Sequence, residues 1–151
     1  MLRSILMGLV AGQRSMAPLS ALGGAAVRGQ LPHNTPEARL MAHPLIAAGG
    51  VALSALEMAG DKMKSAPDRT VALGLIARTI SGGFAGAALA PPRERLAGAL
   101  LGIGAAVVSS YAGLAARKWA MKRWGQTATG FVEDALVISA AMAIAEARPA
   151  R

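Results

Sequence analysis

Residues 8–18, GLVAGQRSMAP, decide how this chain is read. They place Arg14 and Pro18 inside an apolar segment that runs from about Ser4 to Gly29. That is long enough to span a bilayer, which takes about 20 apolar residues. Proline removes a backbone donor and clashes with the preceding turn, so Pro18 is predicted to kink the segment or split it into two half-helices. Whether the broken segment crosses or is re-entrant, the sequence leaves open. Arg3, the apolar run Ile5–Gly12 and Ser15-Met16-Ala17 mimic a signal peptide. Arg14 interrupts that pattern and apolar periodicity resumes through Val27, so the segment is read as the first helix.

Four further apolar segments follow, at about Met41–Gly60, Thr70–Ala90, Glu94–Ala116 and Gly130–Ala147. Between the first two lies a polar connection, Gln30–Arg39, with Pro32 and Pro36. The charged turn Asp61–Arg69 separates the second from the third, and Pro91-Pro92 stops the third. Arg117–Gly125 interleaves Trp119 and Trp124 with four cations, a pattern suited to headgroup level. The fold class is all-α: one domain over residues 1–151, a polytopic membrane bundle of four to five helices.

Composition agrees. Of 151 residues, 54% are hydrophobic and only 16% charged, against roughly 25% charged in an ordinary soluble domain. Aromatics are 3% and glycines number 18, so small residues dominate, and these let helices approach closely in lipid. Gly8-x-x-x-Gly12, Gly82-x-x-x-Gly86 and Gly98-x-x-x-Gly102 each put glycines one turn apart on a helix face. The net charge of +8 sits in the stretches between apolar runs and does not alternate with stacking aromatics, which argues against nucleic acid. Cysteine is absent, excluding disulfides and thiolate chemistry. His33 and His43 form no metal-ligand spacing with a carboxylate, and no nucleophile elbow, Walker loop or paired-histidine motif occurs. No metal, cofactor or catalysis is expected.

The candidate site is the charge inside or at the ends of these apolar helices: Arg14, Glu57, Asp61, Arg78, Glu133 and Asp134. Such charges cost about 2.5–3.5 kcal/mol each at a helix centre on insertion scales, so they persist where they are paired or functional. A guanidinium cannot shed its proton to escape burial, so Arg14 and Arg78 need carboxylates, freed carbonyls or water. Glu57 and Asp61 share a face of a continued helix, whereas Glu133 and Asp134 point about 100° apart and cannot serve one partner equally. Gly12-Gln13-Arg14-Ser15-Met16 resembles Ile76-Ala77-Arg78-Thr79-Ile80, and each arginine has a later acidic helix terminus in its own half. The simplest assignment is a degenerate internal repeat pairing Arg14 with Glu57/Asp61 and Arg78 with Glu133/Asp134, although partners could cross between the halves.

The run Gly8-Leu9-x-x-Gly12-x-Arg14-Ser15-Met16-x-Pro18 resembles the opening of the small bacterial membrane proteins grouped as domain of unknown function 4126. So do Glu57-x-x-Gly60-Asp61-Lys62-Met63-x-Ser65-x-Pro67-x-Arg69-Thr70 and the stretch that follows, Gly74-Leu75-x-Ala77-Arg78-x-x-Ser81-Gly82-x-x-x-Gly86-Ala87-Ala88. The Glu133-Asp134 pair also matches, and the likeness covers about residues 4–147. Lys64 departs from it, standing where similar chains commonly have proline. The resemblance implies a helical integral membrane protein of the bacterial cytoplasmic membrane, and adds Lys62 and Arg69 to the charged set.

The leading expectation is a small transporter or channel moving an ion or polar solute past this cluster. A scaffold whose ion pairs only fix the bundle is the rival. A membrane enzyme using Glu57, Asp61 or Glu133 on a lipid is the third reading. With five crossings, eight cations (Arg3, Lys62, Lys64, Arg69, Arg117, Lys118, Lys122, Arg123) oppose six (Arg28, Arg39, Arg93, Arg95, Arg148, Arg151), weakly favouring a cytoplasmic N-terminus. So small a bias keeps an antiparallel homodimer open, and the expected partners are the lipid bilayer and another copy of the chain.

Overall fold

The computed structural model describes residues 1–31, 35–60 and 72–147. Within them the chain forms seven α-helices: α1 Leu2–Gln13, α2 Ala17–Val27, α3 Pro36–Met41, α4 Pro44–Gly60, α5 Ala72–Leu89, α6 Arg95–Trp124 and α7 Gln126–Glu146. A 3-10 turn, Pro92–Glu94, leads into α6.

The first apolar segment is two helices. Proline clashes with the carbonyl four residues back, which for Pro18 is that of Arg14. Arg14 is accordingly extended, with φ −141° and ψ 114°, while Pro18 sits in the first turn of α2 where its missing N–H is harmless. The two helices then run in opposite directions. Arg3 donates from Nε to the Ile144 carbonyl at 3.0 Å and from Nη2 to that of Ala145 at 2.9 Å. Arg28, at the far end of α2, pairs with Glu146 at 2.5 Å. Both open ends of the α1–α2 hairpin thus meet the last turn of α7, and its tip lies at Arg14–Met16. A single spanning helix would have put Arg3 and Arg28 at opposite ends. The eight-against-six division of cations, which separated them, therefore does not hold.

The remaining helices line up along this hairpin. Gly23 faces Ala47 and Gly50 faces Leu19 and Ser20, so α4 runs antiparallel to α2. Ser4 donates to the Gly86 carbonyl at 2.9 Å, Gly8 faces Gly102 and Gly12 faces Ala106. That makes α1 parallel to α6 and antiparallel to α5. Call the end holding Met1, Val27, Pro44, Leu89 and Glu146 the lower end. From there α1, α4 and α6 ascend, and α2, α5 and α7 descend.

The three glycine pairs of the sequence converge at one seam. A Cβ at Gly86 would land on the Gly98 carbonyl, one at Gly102 on that of Gly82, and one at Gly8 on that of Gly102. Only bare backbone allows α1, α5 and α6 to meet so closely. Serines supplement the seam, Ser109 donating to the Leu9 carbonyl at 2.7 Å and Ser110 to that of Gly12 at 3.2 Å.

Three helical stretches, Ala72–Leu89, Pro92–Trp124 and Gln126–Glu146, are long and apolar enough to cross a membrane. Their exposure pattern is inverted relative to a soluble protein. Leu73, Leu96, Leu100, Val108, Phe131 and Leu136 are exposed, whereas the largest fully buried side chain is Arg14. Water would penalise that arrangement and hydrocarbon would favour it.

Other boundaries differ from the sequence reading. The connection Gln30–Arg39 ends in helix: the Thr35 hydroxyl caps α3 by accepting from the Ala38 N–H at 3.3 Å, with Pro36 in the first turn. Met41 therefore ends α3, and α4 starts at Pro44. The stretch Arg117–Trp124 is a continuation of α6, since nothing in it breaks a helix before Gly125, whose φ of 79° stops it. The last helix begins at Gln126 rather than Gly130.

Candidate functional site

The charged residues gather at the level of the hairpin tip. Arg14 Nη2 meets Asp134 Oδ1 at 2.5 Å, with the arginine side chain 1% exposed. Glu57, one turn before the end of α4, reaches the tip from the other side. Its Oε1 accepts from the Ser15 N–H at 2.8 Å and the Ser15 hydroxyl at 2.9 Å, and its Oε2 accepts from the Met16 N–H at 2.9 Å. Arg78 Nη2 lies 3.8 Å from Glu57 Oε1. One layer thus holds two arginines and two carboxylates, drawn from the tip, α4, α5 and α7.

Local structure explains why Glu57 is there. The break at Arg14 frees the N–H groups that open α2, and a helix start carries a partial positive charge. In a dry surrounding those donors must be satisfied. A carboxylate meets both needs at once, so Glu57 acts as the cap that residues 14–16 do not supply themselves.

The pairing is crossed. Among the described residues Arg14 takes Asp134 of the second half, and Arg78 lies by Glu57 of the first, whereas the in-half assignment had given Glu57 to Arg14 and Asp134 to Arg78; Asp61, the other acid assigned to Arg14, lies outside the described residues. The reason is direction. With α1 folded into a hairpin beside α7, the tip falls opposite Asp134, and α4 carries Glu57 up along α2 to face α5. Adjacent acids on α7 also part company, since Glu133 Oε2 meets Arg117 Nη1 on α6 at 3.4 Å. Asp61, Lys62 and Arg69 lie outside the described residues, as does His33. His43 is exposed in the turn between α3 and α4.

Two buried hydroxyls extend the layer downward. Ser54, 3% exposed, is one turn below Glu57 on α4, and Ser81, 2% exposed, is one turn below Arg78 on α5. Neither has a hydrogen-bond partner among the described residues. The seam serines, by contrast, are satisfied by carbonyls. Three-residue spacing keeps Ser54 and Ser81 on the faces of the charged pair.

Above the layer, α1 has stopped while α6 continues for about 16 Å at 1.5 Å per residue. The space it leaves between α6 and α7 is a groove of about 700 Å³, floored by Gln13 and walled by Ala116, Ala120, Trp124, Val132 and Leu136. Arg117 and Glu133 line it, but Arg14 and Arg78 do not. Trp119 and Trp124 pack edge to face with centroids 5.6 Å apart, and Arg123 lies 5.4 Å over Trp119.

Sequence reasoning missed Ser15, Gln13 and Arg117. The signal for Ser15 was present: a hydroxyl beside a proline-induced break is well placed to bond a cap. Gln13, which donates to the Ser109 carbonyl at 2.9 Å and its hydroxyl at 2.7 Å, carried no such signal. No family model, curated protein or solved structure matches this chain.

Proposed function

We propose that this is an integral membrane protein whose arginine–carboxylate layer passes a small anion, with Glu57 as a gate built into the chain. In this reading α4, α5, α6 and α7 cross the bilayer. The α1–α2 hairpin enters from the lower face and returns to it, its 12-residue first arm reaching about 18 Å at 1.5 Å per residue, past the middle of a core about 30 Å thick. The bacterial cytoplasmic membrane is the location that the family resemblance implies, and the same motif residues, Arg14, Glu57, Arg78 and Asp134, form the layer.

The observation that carries the reading is the coordination of Glu57. Two backbone N–H groups at a helix start, one hydroxyl and a nearby guanidinium surround its carboxylate. Broken helices in membrane transporters point their N-termini at anionic substrates in this way. Here the chain supplies the anion itself. An anion of similar size that displaces the Glu57 carboxylate meets the same donors. The hydroxyls of Ser54 and Ser81, which have no hydrogen-bond partner among the described residues, lie one turn below.

Helix directions support it as well. The set α1, α2, α4 runs up, down, up, and the set α5, α6, α7 runs down, up, down. Exchanging the sets exchanges Arg14–Asp134 with Arg78–Glu57. That is the relation expected of an inverted repeat with its site between the halves.

A scaffold is the second reading, and one observation favours it: the layer is closed, with Arg14 buried and the groove stopping short of both arginines. Proteoliposome flux separates the two. Across chloride, nitrate, formate and phosphate, the transport reading expects flux in the parent, an altered flux in Glu57→Gln and none in Arg78→Ala. No flux for any anion from folded parent protein leaves the scaffold.

A further inference from the structure

We propose that the chain inserts into the membrane in both orientations. The proposal rests on the four crossings and the re-entrant hairpin described above. Orientation is set chiefly by an excess of Lys and Arg in the short segments on the cytoplasmic side, with acidic residues contributing little. Once the hairpin brings Arg3 and Arg28 to one end, that excess vanishes. The lower end carries Arg3, Arg28, Arg39, Arg93 and Arg95, and the upper end carries Arg117, Lys118, Lys122 and Arg123. By sequence the lower end gains Arg148 and Arg151 from the C-terminal residues. Lys62, Lys64 and Arg69 are counted with the upper end because, in sequence, they fall between the end of α4 and the start of α5.

The outcome is seven cations against seven, with Arg14 and Arg78 held in the interior layer and belonging to neither face. A chain with one fixed orientation carries a surplus on one side, and none exists here. Nor do the two ends differ in how freely they translocate, since every connection is far shorter than the roughly 60 residues over which the charge rule holds. The first apolar segment, which often dominates orientation, contributes no vote: it begins and ends on the same face.

The absence of cysteine makes a direct test possible. Ala147→Cys and Thr127→Cys place single thiols at exposed positions beside the lower and upper ends of α7. In intact cells a membrane-impermeant maleimide should label about half of each, and permeabilisation should release the rest, as equal bias on both faces requires. Lys118→Gln with Lys122→Gln should then protect Ala147→Cys and fully expose Thr127→Cys. Arg39→Gln with Arg93→Gln should do the reverse. Full labelling of one site with full protection of the other in the parent overturns the proposal, and so does half labelling that neither charge change moves. Recovery of the chain in the soluble fraction overturns this proposal and the membrane reading together. Half labelling without anion flux overturns transport alone.

Discussion

Two neighbouring regions of this molecule solve the burial problem by opposite means. In the glycine seam, α1, α5 and α6 meet backbone to backbone, with hydroxyls donating to carbonyls and no titratable group between them. In the charged layer a turn above, contact runs through long side chains and a helix break. The seam has one way to pack, because any added carbon collides with main chain. The layer is built of bonds between side chains and freed backbone donors, which depend on charge rather than on close backbone fit. Rigidity lies below and adaptability at the tip.

The comparison can be broken by mutation. Arg14→Ala leaves Asp134 charged and buried without its partner, and should cost about 3–5 kcal/mol, read as a large fall in unfolding temperature in detergent. Asp134→Ala should cost about as much. Gly102→Leu forces side-chain atoms onto the Gly82 carbonyl and should cost about 1–3 kcal/mol or more. If it were silent, the seam would not be tight. Glu57→Gln keeps the shape but loses the charge and turns one of the two accepting oxygens into a donor, so its cost should be about 1–3 kcal/mol. Ser109→Ala removes two interhelical bonds, one to the Leu9 carbonyl and one from Gln13, and should cost about 1 kcal/mol, since such bonds in membrane bundles average about 0.6 kcal/mol each. A ranking that places Ser109 above Arg14 would contradict the division of labour drawn here.

Much of the seam was legible, because glycines four apart mean one helical face and little else. The split at Pro18 was also legible, since proline acts on the residue four before it and that residue is Arg14. The direction of α2 was not, because proline says that a helix breaks and not where the chain turns. Only Arg3 and Arg28 meeting at α7 reveal the hairpin, and contacts across more than a hundred residues leave no local trace. Crossed pairing followed from that same turn. The parting of Glu133 and Asp134, by contrast, was readable from their 100° offset alone.

The Arg14–Asp134 contact joins residues made at opposite ends of synthesis. When the hairpin leaves the ribosome, the helix carrying Asp134 does not yet exist. Arg14 therefore cannot settle at depth beside its final partner until the last helix arrives. The tip of the first segment made should be the last part to take its final place, even though α1 can join α5 and α6 earlier. A chain truncated before α7 should keep α1 on its seam with α5 and α6 but leave the Arg14–Met16 tip open to protease.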